Sequence, residues 1–377
     1  MNWRNAQMER KRIVVKIGSS SLTNSKGEID KVKFNDHIEA IVAAREVGHE
    51  LILVSSGAVA AGFSKLGYPS RPVTLKGKQA AAAVGQSLLI QSYMKELAPY
   101  GILPAQILLT RNDFSKKDRY RNAYSTLTEL LARGILPIIN ENDTVSVEEL
   151  TFGDNDMLSA LVSGMIHAEQ LIILTDINGL YNSNPHENPD AERFDYLEDV
   201  EDEMMEFATS TGSSVGTGGM KSKLYAAKTA ISLGVKVFIG KGEGQDKLLR
   251  IMDGEGDGTY IGKKMLTSVK SNKQWISLHS PVSGKIFIDE GAEVALVTKG
   301  SSLLPAGIFG VDGVFEKGNV VEVYGRSGLL GKGEVLYSSD EIRKLMGKRT
   351  EELMNERIFT TNEVIHRDQW VRIEGGK

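Results

Sequence analysis

Six short, almost continuously apolar runs recur along the first two-thirds of the chain: RIVVKIG (12–18), ELILVSSG (50–57), QILLT (106–110), ILPIIN (135–140), LIILTD (171–176) and VKVFIG (235–240). Runs of this length and character read as strands buried on both faces. Longer segments with a helical period lie between them. In FNDHIEAIVAAREVG, residues Phe34, Ile38, Ile41 and Val42 share one face, and Gly48 follows as a natural C-terminal cap. KQAAAAVGQSLLIQSYMKELA and NAYSTLTELLARG carry the same period. Strands alternating with helices from residue 12 to about 262 predict an α/β fold, a mostly parallel sheet sandwiched by helices. Ligands of such sheets bind beyond the carboxyl ends of the strands. Chemistry is therefore sought just after each apolar run.

At 377 residues the chain is long enough for two domains. Past residue 262 the texture changes: residues 273–325 are short β-rich runs broken by glycine and proline, which predicts a small β-barrel or sandwich. The expected domains are 10–262 and 273–360, with DKLLRIMDGEGDGTYIGKK (246–264), rich in glycine and charge, as the linker zone. The absence of cysteine excludes disulfides, thiolate metal sites and cysteine nucleophiles. The six histidines are scattered without metal-ligand spacing, so no protein metal site is expected. A net charge of -4 gives no general reason to bind nucleic acid or anionic membrane. The polar start MNWRNAQMERKR lacks the apolar core of a signal peptide, and no apolar stretch reaches membrane-spanning length. A cytoplasmic location is the expectation.

The first run exits into Lys16, Gly18, Ser19 and Ser20, an ammonium with hydroxyls and open backbone that suits an oxyanion, although a lone lysine in a turn reads more readily as a solvated charge. The second exits into Ser56 and Gly57, where glycine permits close approach by a ligand or simply a tight turn. The fourth exits into Asn140, Glu141, Asn142 and Asp143, with Gly153, Asp154, Asn155 and Asp156 soon after. A helix cap uses one or two such residues, not eight, so this cluster points to a polar small-molecule site. Thr175 and Asp176 end the fifth run. The loop GTGGMKSK contributes Thr217, Gly218, Gly219, Met220, Lys221, Ser222 and Lys223 at the head of a helical pattern, the generic setting for a phosphate. A flexible hinge is the alternative there.

Taken together, VVKIGSSSL, LVSSGAVAAG, INENDTV, FGDNDMLSA, LTDINGLYNSNP and GTGGMKSK resemble, in order, the successive motifs of the amino acid kinase family. EGAEVALVTKGSSLLPAGI resembles the PUA domain appended to many bacterial members. The resemblance implies transfer of the γ-phosphoryl group of ATP, with Mg²⁺, to the side-chain carboxylate of L-glutamate, at the head of proline biosynthesis. It implies Lys16 and Lys223 as the charges around the moving phosphoryl group and Asp156 as the residue orienting them. Ser56, Gly57, Asn140, Asp143, Asp154 and Asn155 would hold L-glutamate. Gly18, Ser19, Thr175, Asp176 and the loop from Thr217 to Lys223 would hold ATP. Lys221 and Lys223 compete for the phosphate, and spacing from the glycines favours Lys223. Feedback by L-proline and a homo-oligomer, dimer or tetramer, are implied as well. A kinase of another acceptor is the rival within the family. An RNA-binding role for the tail is the rival outside it. Residues 263–377 hold 17 Lys and Arg against 15 Asp and Glu, too even a balance for strong phosphate affinity, so nucleic acid is not the expected partner.

Overall fold

The computed structural model describes residues 10–24, 28–145, 155–183, 185, 188–201, 204, 219–263, 273, 275–348 and 363–373. The chain divides into two compact units, one of residues 1–113 and 121–268, the other of residues 114–120 and 269–377.

The first unit follows the alternation expected of it. Its elements are β1 (Arg12–Ile17), α1 (Lys31–Glu46), β2 (Glu50–Ser55), α2 (Ala58–Phe63), α3 (Leu75–Leu97), β3 (Pro104–Leu109), α4 (Arg111–Ser115) and α5 (Lys117–Ala132), whose residues 114–120 count with the other unit, then β4 (Leu136–Glu141), α6 (Asn155–Met165) and β5 (Gln170–Leu174). Then come β6 (Leu180–Tyr181), β7 (Arg193–Phe194), β8 (Tyr196–Leu197), α7 (Met220–Ser232), β9 (Lys236–Gly240), α8 (Lys247–Met252) and β10 (Gly258–Ile261). The strands pair in the order β3-β4-β2-β1-β5-β9-β10-β8. The six from β3 to β9 run parallel, and β10 turns antiparallel against β9.

Each apolar run became a strand. QILLT differs from the others, because β3 sits at the sheet edge and its middle is only partly buried. Side chains alternate across the sheet. Ile13, Val15 and Ile17 of β1 join a core with Phe34, Ile38 and Ile41 of α1, Leu89 and Tyr93 of α3, and Leu248 and Ile251 of α8. Lys16 therefore faces the opposite side, where α6 packs.

The segment 246–264 is not a linker zone. Its first half is α8, with Leu248 and Ile251 in the core, and its second half is β10, hydrogen-bonded to β9. The glycines there serve packing. A Cβ on Gly258 would lie 2.5 Å from the Phe238 ring, and one on Gly256 2.7 Å from it.

In the second unit, β11 (Val282–Ile288), α9 (Glu290–Glu293), β12 (Ile308–Gly313), β13 (Val320–Gly325), β14 (Gly328–Glu334), α10 (Ser339–Leu345) and β15 (Trp370–Arg372) follow one another. The strands make a single sheet, β12-β11-β13-β14-β15, rather than two facing sheets. It is antiparallel except for the β11–β13 pair. Its core holds Ile286, Phe315, Val323, Ile342 and Trp370, and Ser338 with Glu341 forms a capping box on α10. No described helix is long and apolar enough to cross a membrane.

Candidate active site

The carboxyl ends of β1, β2, β4 and β5 lie side by side, and each delivers polar residues to one edge. The backbone N–H of Ser56 donates to the Ile17 carbonyl at 3.0 Å, which joins the exits of β1 and β2. Gly57 then turns the chain into α2 at φ +108°, a conformation that L side chains rarely adopt.

Asp156 stands in the first turn of α6 and is wholly buried. Its carboxylate meets two ammonium groups, Lys16 Nζ at 2.6 Å from Oδ1 and Lys223 Nζ at 3.1 Å from Oδ2. Ser222 Oγ donates to Oδ2 as well, at 3.2 Å. The two lysines are each only 6% exposed. They arrive from β1 and from the first turn of α7, so residues 16, 156 and 223 are joined by folding alone. An isolated carboxylate here would lose several kcal/mol of hydration. Burial works to raise the Asp156 pKa, but the charges of Lys16 and Lys223 overcome it and hold the group below its ordinary 3.8.

A second group of polar side chains runs away from this cluster. Asn155 Nδ2 donates to Ser56 Oγ at 2.9 Å and to Asn140 Oδ1 at 2.8 Å. Asn140 Nδ2 donates in turn to Gln86 Oε1 at 2.8 Å. Ser56, Asn140 and Asn155, far apart in the chain, thus form one relay. Gln86, on α3, belongs to it too, and no sequence motif marked it. In the turn after β4, burial raises the Asp143 pKa and the charge of Arg71 works against that rise.

On the other flank, Thr175 N–H donates to the Gly240 carbonyl at 3.0 Å and Thr175 Oγ1 to Asp176 Oδ1 at 3.1 Å, where β5 ends. Gly219 precedes α7, and among the described residues nothing lies within 4 Å of where its side chain would be. Lys221 points elsewhere than Lys223. It is exposed, with Nζ 6.0 Å from the Tyr225 ring centre. Gly18 and Ser19 form the tight turn after β1, with Ser21 N–H donating to the Gly18 carbonyl at 3.2 Å. Asp154, Thr217 and Gly218 lie outside the described residues.

The amino acid kinase family profile matches residues 11–241, a segment that contains every residue of this edge named so far. The chain belongs to the amino acid kinase family. The PUA domain profile matches residues 284–356. Named relatives cover nearly the whole length. Glutamate 5-kinase 1 of Bacillus licheniformis is 66% identical over 97% of this chain and 100% of its own. Glutamate 5-kinase 1 of Bacillus subtilis is 65% identical over the same shares. Glutamate 5-kinase of Bacillus cereus is 57% identical, again over 97% and 100%.

Proposed function

We propose that this kinase transfers the γ-phosphoryl group of ATP to the side-chain carboxylate of L-glutamate, giving L-glutamyl 5-phosphate, the first step of proline biosynthesis from glutamate. The observation that carries the reading is the convergence of Lys16 and Lys223 on one buried carboxylate. Relatives named glutamate 5-kinase, at 57–66% identity over the full length of those proteins, supply the acceptor.

The reaction must bring together two anions, so alignment and positive charge do the catalytic work. In this reading Asp156 fixes the two ammonium groups, and the phosphoryl group passes between them from ATP to glutamate. No general base is needed, because the acceptor carboxylate is already ionised at neutral pH. Ser56, Gly57, Asn140, Asp143, Asp154 and Asn155 hold glutamate, the two aspartates taking its amino group. Gly18, Ser19, Thr175, Asp176 and residues 217–223 hold ATP.

No three His, Cys, Asp or Glu side chains gather as a metal site among the described residues. The Asp156 carboxylate is engaged by lysines, which does not suit a cation. In this reading Mg²⁺ would accompany the nucleotide substrate and neutralise its phosphates. We further propose a catalytic domain of residues 10–262 followed by a PUA-like domain that begins at 273, a cytoplasmic homo-oligomer, and inhibition by L-proline through overlap with the glutamate pocket.

The test is an ATP-dependent assay in which hydroxylamine traps the acyl phosphate. The wild-type protein should form hydroxamate with L-glutamate and not with aspartate or acetylglutamate, and should release no ADP from ATP with a nucleoside monophosphate as acceptor. Lys16→Ala and Lys223→Ala should each lower turnover on the order of 10²–10³-fold. Wild-type activity on another acceptor alone would refute the assignment.

A further inference from the structure

The orientation of the polar relay can be settled from one backbone group. Glu141 N–H donates to Asn140 at 2.9 Å, and a backbone N–H can only donate, so the atom it meets is the oxygen Oδ1. Asn155 Nδ2 donates to the same oxygen. The other end of the Asn140 amide is thereby its nitrogen, and this nitrogen donates to Gln86 Oε1. Gln86 is left with Nε2, two N–H donors that meet no acceptor among the described residues, on a side chain that is 8% exposed.

Leaving an amide donor unmade inside a protein is unfavourable, because its hydration is lost and not replaced. The Oε1 end of the Gln86 amide is used, since it accepts from Asn140, and the Nε2 end is the one left over. The position is also fixed with care. A Cβ on the neighbouring Gly85 would fall 1.7 Å from the Ala58 carbonyl oxygen, so α3 rests backbone to backbone on α2, the helix that begins right after Ser56 and Gly57. An unpaired donor in a relay with Asn140, Asn155 and Ser56 calls for an acceptor from outside the chain.

We propose that Gln86 is a specificity-determining residue for the acceptor, donating from Nε2 to its α-carboxylate. The inference rests on the function proposed above. The side-chain carboxylate of the acceptor must reach Lys16 and Lys223. Asn155 adjoins Asp156, and Gln86 stands at the opposite end of the relay, where the second carboxylate of an extended amino-dicarboxylate arrives.

Gln86→Glu isolates the claim: it keeps an oxygen for Asn140 and removes the Nε2 donors. In the full-length protein, the KM for L-glutamate should rise about 10- to 100-fold, while the KM for ATP and the turnover at saturating glutamate stay within about threefold. The preference for L-glutamate over its α-carboxamide, L-isoglutamine, should fall by a similar factor, because a carboxylate at residue 86 accepts from an amide. Gln86→Met removes both ends of the amide and leaves Asn140 Nδ2 unpaired as well, so its glutamate KM should rise at least as far as in Gln86→Glu with the ATP KM unmoved. It stands in if the first variant does not fold, and an unchanged glutamate KM in it counts against the proposal equally. A wild-type protein inactive on L-glutamate refutes the earlier reading. An active wild type with an unchanged glutamate KM in the variants overturns this one, and so does an ATP KM that moves as far as the glutamate KM.

Discussion

Two buried lysines near the strand ends, Lys223 and Lys247, keep different company. Lys247, in the first turn of α8, pairs with Asp36 of α1, and Asp36 also accepts from the Gly244 N–H at 2.9 Å. The side chain of Asp36 is still 34% exposed, so half of that pair keeps its contact with water. Lys223 shares Asp156 with Lys16, and that carboxylate has no exposure at all. One arrangement is a single bond between two helices. The other draws two cations from a strand and a helix onto one anion, and nothing about core stability calls for the second cation. A one-to-one pair ties elements together, whereas a shared anion aims charge. The contrast predicts that damage to the first should appear in stability and damage to the second in turnover.

Asp156→Asn is the most severe break. It leaves two buried ammonium groups without their carboxylate, which should cost about 3–5 kcal/mol of stability at neutral pH and remove most of the turnover as well. The folded pKa of Asp156 is depressed, so its contribution is full above its ordinary 3.8 and is lost as the pH falls through its lower folded value. Denaturant titrations at pH 7 and below pH 4 should therefore show the gap between wild type and variant closing with acid. A gap that stayed constant would mean that Asp156 is not held ionised by the lysines.

Much of this arrangement was legible because strands buried on both faces are written as unbroken apolar runs, and the residues just after them are what the fold presents to a ligand. Lys16, Ser56, Asn140 and Thr175 were found by that rule. Gln86 was not. It sits inside a helix rich in alanine, where a glutamine reads as a solvent-facing residue, and its inward position shows only in its bond to Asn140, fifty-four residues on. The zone 246–264 misled for a related reason. Glycine reads as flexibility and lysine as surface, yet Gly256 and Gly258 make room for Phe238, and Lys247 is buried because Asp36, two hundred residues earlier, meets it. Composition shows what a residue can do in water. The partner that changes its meaning comes from elsewhere in the chain.

Lys247→Met tests the other half of the contrast. The methionine fills the same volume, and the Asp36 it abandons retains water and the Gly244 N–H, so the loss should be about 2–3 kcal/mol, below that of a fully buried pair. Hydroxamate formation by the folded variant should keep its wild-type turnover. A variant of wild-type stability with impaired turnover would reverse the roles assigned to the two lysines.

The smallest effect falls on His37, which packs beside this pair. Burial, then the charge of Lys247, hold the imidazole down to about 4, while Asp36 and the Ser21 backbone act in the opposite direction. A folded pKa below the ordinary 6.5 means that the unfolded chain binds the proton first. Stability is then complete above pH 6.5 and falls as the pH descends toward 4. Between pH 6.5 and 5 the loss should be about 1–2 kcal/mol, from about 1.4 kcal/mol per unit. His37→Gln should flatten that slope in denaturant titrations. Lys247→Met should flatten it only in part, since it removes one cause of the depression and leaves burial in place. If the lysine substitution abolished the slope completely, charge and not desolvation would be what keeps His37 neutral.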